Sequence, residues 1–255
     1  VAGPAAGSGF SQPTASGRMT WRLASMAATH PGAVRPRNED ALLERPDIGL
    51  WVVADGAGGH GAGDVASNAI VAAMGAIPPG LSAAELLAQV RLRMAAVHQD
   101  LQEEAERRGP GRILASTVVV MLARGEHFAM LWAGDSRAYL LRHGALSRVT
   151  KDHSLVQELV DQGTLREDEA ESHPQANVIT RAIGAHGELE LDKVSGRIAE
   201  GDRFLLCTDG LFKTMAEAEI AAMLAAGGNA QAIVTEAVGR GARDNVSAIG
   251  IDCIP

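Results

Sequence analysis

The sequence predicts an α+β fold in which antiparallel sheets are covered by helices. Three patterns predict it. Short apolar or β-prone runs follow one another across tight polar turns, as hairpins do. Segments with helical periodicity come in adjacent pairs. Strands and helices do not alternate one for one, as a parallel sheet would need. Of the 255 residues 46% are apolar, enough for the core of one large domain or two small ones. Only 3% are aromatic, so Ala, Val, Leu and Ile must build that core.

In chain order, residues 1–18 are small, polar and rich in Gly, Pro, Ser and Ala, with no apolar run that would make a signal peptide. They read as a flexible N-terminal tail or an expression scar, with Met19 as a native start and 19–255 as a single domain. Trp21–Ala27 has the pattern of a first strand. Asp40–Glu44 and Leu50–Ala54 are two more, joined through Arg45-Pro46-Asp47. Gly58-Gly59-His60-Gly61 is a loop that precedes an Ala-rich helix over about Gly63–Gly75. Ser82 caps a long helix with Glu85 at the capping-box position. Its apolar residues Leu87, Val90, Met94, Val97 and Leu101 form one stripe, and Gly109-Pro110-Gly111 ends it. Strands follow at Ser116–Leu122, His127–Ala133 and Arg137–Arg142, with Arg124-Gly125-Glu126 and His143-Gly144 as turns. From Lys151 to about Gly187 the pattern changes to short polar helical pieces, which suggests an inserted flap at 151–187. Strands resume at Leu189–Ile198 and Arg203–Thr208. Helices follow near Ala216–Ala225 and Ala230–Arg240, and a strand at Val246–Ile251 is the last element.

The net charge of −8 argues against nucleic acid as a partner and suits a protein that collects cations. The uncharged stretch Val65–Ala84 is broken by Ser67, Asn68 and Pro78-Pro79-Gly80, so it is no membrane span. A cytoplasmic monomer is expected. Cys207 and Cys253 lie in or beside apolar runs and read as buried thiols, not as a disulfide or a zinc site.

Two strands end alike: Leu50–Ala54 stops at Asp55-Gly56, and Phe204–Thr208 stops at Asp209-Gly210. Asp-Gly is a common turn dipeptide. Yet each copy also delivers a carboxylate to the edge of a core, where an unpaired charge is costly. Three further acidic sites sit among small or polar residues: Asn38-Glu39-Asp40, Gly134-Asp135-Ser136 and Arg243-Asp244-Asn245. Five carboxylate sites without a Cys/His cluster suit Mg²⁺ or Mn²⁺ better than Zn²⁺. Two such ions can activate a water and hold a phosphoryl oxygen. Spacing does not show that the five meet.

Seven segments go further. They are Gly-Ala-Val-Arg-Pro-Arg-Asn-Glu-Asp at 32–40, Val-Ala-Asp-Gly-Ala-Gly-Gly-His at 53–60 and Ala-Gly-Asp-Ser-Arg-Ala-Tyr at 133–139. Then come Lys-Asp-His-Ser-Leu-Val at 151–156, Asn-Val-Ile-Thr-Arg-Ala-Ile-Gly at 177–184, Leu-Cys-Thr-Asp-Gly-Leu at 206–211 and Asp-Asn-Val-Ser at 244–247. In this order, from about Thr29 to Ile251, the chain resembles the bacterial form of the metal-dependent serine/threonine protein phosphatases, the PPM (PP2C-like) family. The resemblance implies a four-layer α-β-β-α sandwich with a metal cleft at one end. It implies two Mn²⁺ or Mg²⁺ ions bridged by Asp55, with the Gly56 carbonyl on one and Asp209 and Asp244 on the other. Asp40 would act through water, Asp135 matches the position that helps hold a third metal, and Arg35 would grip the substrate phosphate. Arg37 competes with Arg35 for that role.

The activity implied is hydrolysis of phosphoserine and phosphothreonine on proteins by an activated water, without a covalent intermediate, reversing a cognate kinase. The opening Thr-His-Pro-Gly-Ala-Val-Arg at 29–35 also looks like phosphatases that accompany type VI secretion systems. That subfamily implies a membrane-anchored kinase and a forkhead-associated-domain protein as partners. One departure stands out: bacterial relatives usually carry Met, and eukaryotic ones His, where this chain has Ala57. Ala57 cannot protonate the leaving alkoxide, so metal-bound water would do so. His60 belongs to the usual Gly-Gly-His turn. Ser136 has no base paired with it by any motif and reads as a turn residue. His153 and His173 read as structural or substrate-facing. Two other readings remain open on the residues alone: a metal phosphohydrolase for small phosphoesters, and a phosphoprotein-binding module without catalysis.

Overall fold

The computed structural model describes residues 22–57 and 62–255. The expected N-terminal tail, Trp21 and the Gly58–Gly61 loop with His60 lie outside them. Two antiparallel sheets form the centre. One orders its strands β1 (Arg22–His30), β11 (Val246–Ile254), β10 (Arg203–Cys207), β7 (Arg137–Arg142) and β8 (Ala145–Arg148). The other orders β2 (Asp40–Arg45), β3 (Leu50–Ala57), β5 (Val118–Arg124), β6 (His127–Ala133) and β9 (Asp192–Arg197), with β4 (Ala115–Ser116) paired to the end of β3.

Strand alternation divides the core into three. Trp51, Val53, Val119, Met121 and Met130 face Phe204, Leu206, Ile249 and Ile251 between the sheets. On the outer face of the second sheet, Leu50, Val52, Val118 and Val120 pack against α1 (Gly63–Gly75) and α2 (Ala83–Arg108). On the outer face of the first, Leu205, Cys207, Val246 and Ala248 pack against α5 (Asp209–Phe212), α6 (Glu217–Ala225) and α7 (Ala230–Gly239). The result is the α-β-β-α sandwich that the resemblance implied. Small aliphatic side chains fill it, and both cysteines are buried free thiols.

Helix α2 carries the expected capping box, with Glu85 N–H bonded to the Ser82 hydroxyl and the Glu85 carboxylate to Ser82 N–H. Its buried stripe starts one residue earlier than the periodicity suggested. Leu86 is in the core and Leu87 only flanks it, and further along the same helix His98 Nδ1 accepts from the Gly184 N–H of the flap. The 151–187 segment holds two short helices, α3 (Leu155–Asp161) and α4 (Glu167–Ala170). Its base is pinned to the sheet by Trp132 Nε1, which donates to the Lys151 carbonyl at 2.7 Å.

Three strand expectations need correction. Strand β3 does not stop at Ala54 but runs through Asp55-Gly56 to Ala57, because β2 and β4 continue the pairing there. The stretch 189–198 forms a strand only over Asp192–Arg197, the part that finds a partner in β6. Strand β8 escaped notice because Ala145–Arg148 is short and has no apolar alternation.

Candidate active site

The start of β2, the ends of β3 and β10 and the start of β11 open into one cleft of about 1260 Å³. Side chains 51 and 53 face the other sheet, so strand alternation also turns Asp55 toward the space between the sheets. Asp40 lies directly opposite Asp55 in the β2–β3 register, with Leu42 on the same face. Two like charges paired across strands destabilise each other unless something neutralises them.

A polar network holds this end together. The Thr208 hydroxyl donates to Asp40 Oδ2 at 3.0 Å and accepts from the Ser247 N–H at 3.0 Å. Asn245 ties the 31–39 loop to β11. Its Oδ1 accepts from Glu39 N–H at 2.8 Å, and its Nδ2 donates to the carbonyls of Pro31 at 3.0 Å and Arg37 at 2.9 Å. Two close backbone approaches frame the carboxylates. A Cβ on Gly56 would stand 2.2 Å from the Gly63 carbonyl oxygen, so β3 meets the first turn of α1 with no room for a side chain. A Cβ on Gly210 would stand 2.1 Å from the Asn245 carbonyl oxygen. Gly210 is therefore not the turn residue the sequence suggested; it lies inside α5, where it lets that helix approach the Asn245 backbone.

The outer carboxylates are held by cations of the chain. Arg35 donates to Asp244 Oδ2 at 2.7 Å, in an exposed pair. Lys213, one turn along from Asp209, donates to Asp209 Oδ2 at 2.5 Å and to Asn177 Oδ1 of the flap at 2.6 Å. Arg35, Arg37 and Lys213 line the cleft together with Asp55 and Asp209. Asp135, just past β6, is buried, and its Oδ1 has no hydrogen-bond partner.

A protein phosphatase 2C family profile matches residues 34–240. The chain belongs to that family. It is 36% identical to the serine/threonine protein phosphatase PstP of Mycobacterium tuberculosis over 93% of its own length. It spans about half, 46%, of that relative. Among solved structures it is similar to PppA, a regulatory component of the type VI secretion system in Pseudomonas aeruginosa, with 41% identity, TM-score 0.84 and coverage of 91% of this chain and 98% of that one. It is also similar to the catalytic domain of PstP in complex with two manganese ions, with 33% identity, TM-score 0.77 and coverage of 92% and 100%. The protein phosphatase 2C family is a family of serine/threonine phosphatases that depend on Mn²⁺ or Mg²⁺.

The family's divalent ions fit the electrostatics of this site. Burial, then repulsion from Asp40, Asp209, Asp135 and Asp244, drives the Asp55 carboxyl well above the usual range. Burial, opposed by the hydroxyls of Ser247 and Thr208 and reinforced by Asp209 and Asp244, pushes Asp40 up to about 7. Burial and Asp209 push Asp135 up to about 7 as well. Asp40 Oδ1 and Asp135 Oδ1 are both buried without a hydrogen-bond partner. Buried acceptors without donors, on carboxylates that repel one another, are what a cation in this phosphatase 2C site would satisfy. Among the described residues no three of these carboxylates converge into a ready coordination cage, since Asp209 and Asp244 are turned toward Lys213 and Arg35.

Other candidates resolve plainly. Ser136 is buried and bonded to the Thr117 hydroxyl at 2.7 Å, so it is no accessible nucleophile. His153 Nδ1 accepts from the Gly134 N–H at 3.2 Å, and its ring stacks on Trp132 with centroids 6.0 Å apart, a structural role. His173 Nδ1 accepts from Gln175 N–H at 3.2 Å in the flap, away from the carboxylates. Ala57 lines the cleft, as expected from its place after Asp55-Gly56. Sequence reading missed Thr208, Asn245 and Lys213. Asn245 had a signal in the Asp-Asn-Val-Ser motif. Lys213 had none beyond an ordinary i,i+4 spacing from Asp209.

Proposed function

We propose that this chain hydrolyses phosphoserine and phosphothreonine esters on proteins, reversing a cognate kinase. The observation that carries the reading is that Asp55, Asp209 and Asp244 line one cleft, with Asp40 directly opposite Asp55 in the strand register and the buried Asp55 carboxyl driven up by burial and by its acidic neighbours. In this reading Asp55, the Gly56 carbonyl, Asp209 and Asp244 hold two Mn²⁺ or Mg²⁺ ions, Asp40 acts through water, and Asp135 stands where a third would bind. Such ions, when bound, make water a nucleophile at neutral pH and offset charge on the phosphoryl oxygens.

The chain's own groups do the rest. Arg35 exchanges Asp244 for the phosphoryl oxygens, which its planar fork matches two at a time. Held in line, the water oxygen bonds to phosphorus as the bond to the serine or threonine oxygen breaks. Ala57 offers no proton, so the leaving alkoxide takes one from water, and inorganic phosphate departs.

The likeness to PppA supports a role beside a type VI secretion system. We extend this to a cytoplasmic location, with a membrane-anchored kinase and a forkhead-associated-domain protein as partners. Among the described residues no helix is long and apolar enough to cross a membrane.

The test is phosphate release from a phosphothreonine peptide with Mn²⁺ or with EDTA, for wild type and Asp209→Asn. Wild type with Mn²⁺ should turn over, while EDTA and the substitution should each remove at least about two orders of magnitude of rate. Activity that survives both sinks the reading.

A further inference from the structure

We propose that Arg37 and Arg243 are specificity residues that select phosphoproteins with acidic side chains close to the phosphorylated residue. This rests on the protein-phosphatase reading above and names the class of substrate sequence that the site favours.

The cleft is larger than a phosphoryl group needs. At about 1260 Å³ it exceeds the roughly 300–1,000 Å³ usual for a small-molecule site, so a stretch of polypeptide suits it better than a small phosphoester. Part of its lining is the flap, through Asn177 and Ile179. Another part is the 31–39 loop and the loop between α7 and β11, which carry Arg35, Arg37, Arg240 and Arg243. These four arginines differ. Arg35 is paired with Asp244, and Arg240 with Glu219 and Glu236. Arg37 and Arg243 are exposed, and among the described residues neither guanidinium makes an ion pair or a hydrogen bond. The acidic residues beside them in the sequence are turned elsewhere. Asp244 is held by Arg35, and Glu39 Oε2 lies where a Cβ on Gly63 would stand 2.8 Å from it.

A solvated arginine is ordinary on any surface. What distinguishes these two is how firmly their backbones are held. Asn245 Nδ2 donates to the Arg37 carbonyl at 2.9 Å, and the Ala33 N–H donates to the carbonyl of Ala242, next to Arg243, at 2.7 Å. A Cβ on Gly32 would stand 2.1 Å from the Asp244 carbonyl oxygen, so the two loops touch backbone to backbone. They form one block that fixes where both side chains start and leaves both heads free. Less ordering is then left to be done when a ligand binds.

The same block carries Arg35, which grips the phosphoryl group in the reading above. Arg37 is two residues from Arg35, at most about 7 Å along the chain, and Arg243 adjoins Arg35's partner Asp244. An extended substrate advances about 3.3 Å per residue, so the side chains these guanidiniums meet lie within about three positions of the phosphorylated one. A carboxylate is the matching group, because the planar guanidinium fork takes both of its oxygens. The chain's net charge of −8 repels an acidic segment at long range, and a local basic rim is what admits one.

The experiment measures kcat/KM with Mn²⁺ for three phosphothreonine peptides of equal length, flanked on both sides by glutamate, glutamine or lysine. Wild type should prefer the glutamate peptide to the glutamine peptide by about tenfold, chiefly through KM. The ratio is read within one enzyme, so any loss of folded or metal-loaded protein cancels. It should fall below about threefold when Arg37→Gln and Arg243→Gln are combined. Combining Arg37→Glu with Arg243→Glu should make the lysine peptide the preferred one, which a merely structural role would not do. Equal values for the glutamate and glutamine peptides in wild type, or a wild-type ratio kept in both double variants, would overturn the proposal and leave the phosphatase reading intact. A wild type that releases phosphate from none of the three peptides would overturn both. Should a double variant fail to fold, the single variants decide, each expected to lower the ratio by about threefold and each counting against the proposal if the ratio stays.

Discussion

Asp40→Asn should make the metal-free protein more stable, not less, at pH 8. Asp40 sits opposite Asp55 in the register, and its carboxyl rises from an ordinary 3.8 to about 7, first through burial. At about 1.4 kcal/mol per pH unit, ionising it in the fold costs roughly 4 kcal/mol. The sign follows from that rise. Below pH 3.8 the group is protonated in both folded and unfolded chains and costs nothing. Between 3.8 and about 7 the unfolded chain gives up its proton first, so stability falls as pH rises, and above 7 the full cost is present. Asparagine removes the charge, and its amide oxygen can still accept from the Thr208 hydroxyl. Because Asp55 shares the cluster and relaxes with it, the expected gain is about 2–4 kcal/mol at pH 8, shrinking toward zero near pH 4. Urea unfolding in EDTA at both pH values measures it, with the slope of the transition as a check that two-state behaviour holds. Saturating Mn²⁺ should cancel or reverse the gain, since the wild-type carboxylate then has its counter-charge. A variant less stable than wild type at pH 8 in EDTA would refute the repulsion argument.

Three other substitutions test the frame around the carboxylates. Gly210→Ala should destabilise by at least about 2 kcal/mol in thermal unfolding, although alanine is the better helix former by about 1 kcal/mol, because its Cβ would collide with the Asn245 carbonyl. Asn245→Ala removes three hydrogen bonds that hold the 31–39 loop and should cost about 1–3 kcal/mol. It should raise KM for a phosphopeptide more than it lowers kcat, since it loosens the loop that carries Arg35. His153→Gln should leave Mn²⁺ affinity unchanged. Burial, against the pull of Asp192, holds His153 below its ordinary pKa, so wild type should lose stability as pH falls below about 6.5, and the variant should lose less over the same range. Equal pH profiles would count against the buried, neutral His153.

The fold was legible where two signals agreed. Ser82 with Glu85 marks the start of α2, and Gly109 its end, because capping chemistry is local. The central strands β5, β6 and β10 read directly as apolar runs, since both of their faces are covered. The edges did not. Whether Asp55-Gly56 ends a strand depends on whether another strand lies alongside, and β2 and β4 do. Strand β9 is shorter than its pattern for the opposite reason: pairing with β6 ends at Asp192. Pairing is a long-range property, and no window of neighbouring residues contains it.

The same division runs through the site. Aspartates at small-residue turns can be found in the sequence, since a carboxylate at a core edge is costly and therefore conspicuous. The cations that answer them cannot. Arg35 and Asp244 are 209 positions apart, and their pair exists only because β1 and β11 are neighbours in one sheet. Lys213 follows Asp209 at a spacing found on many helix surfaces, and the sequence holds nothing to mark it as different. What sets it apart is that α5 stops after four residues with its first turn at the cleft, so the usual outward-facing pair lines the cleft and reaches Asn177 of the flap. The balance of charge in this cleft is thus set by topology, which decides how many of its carboxylates the protein neutralises itself and how many it leaves to ions.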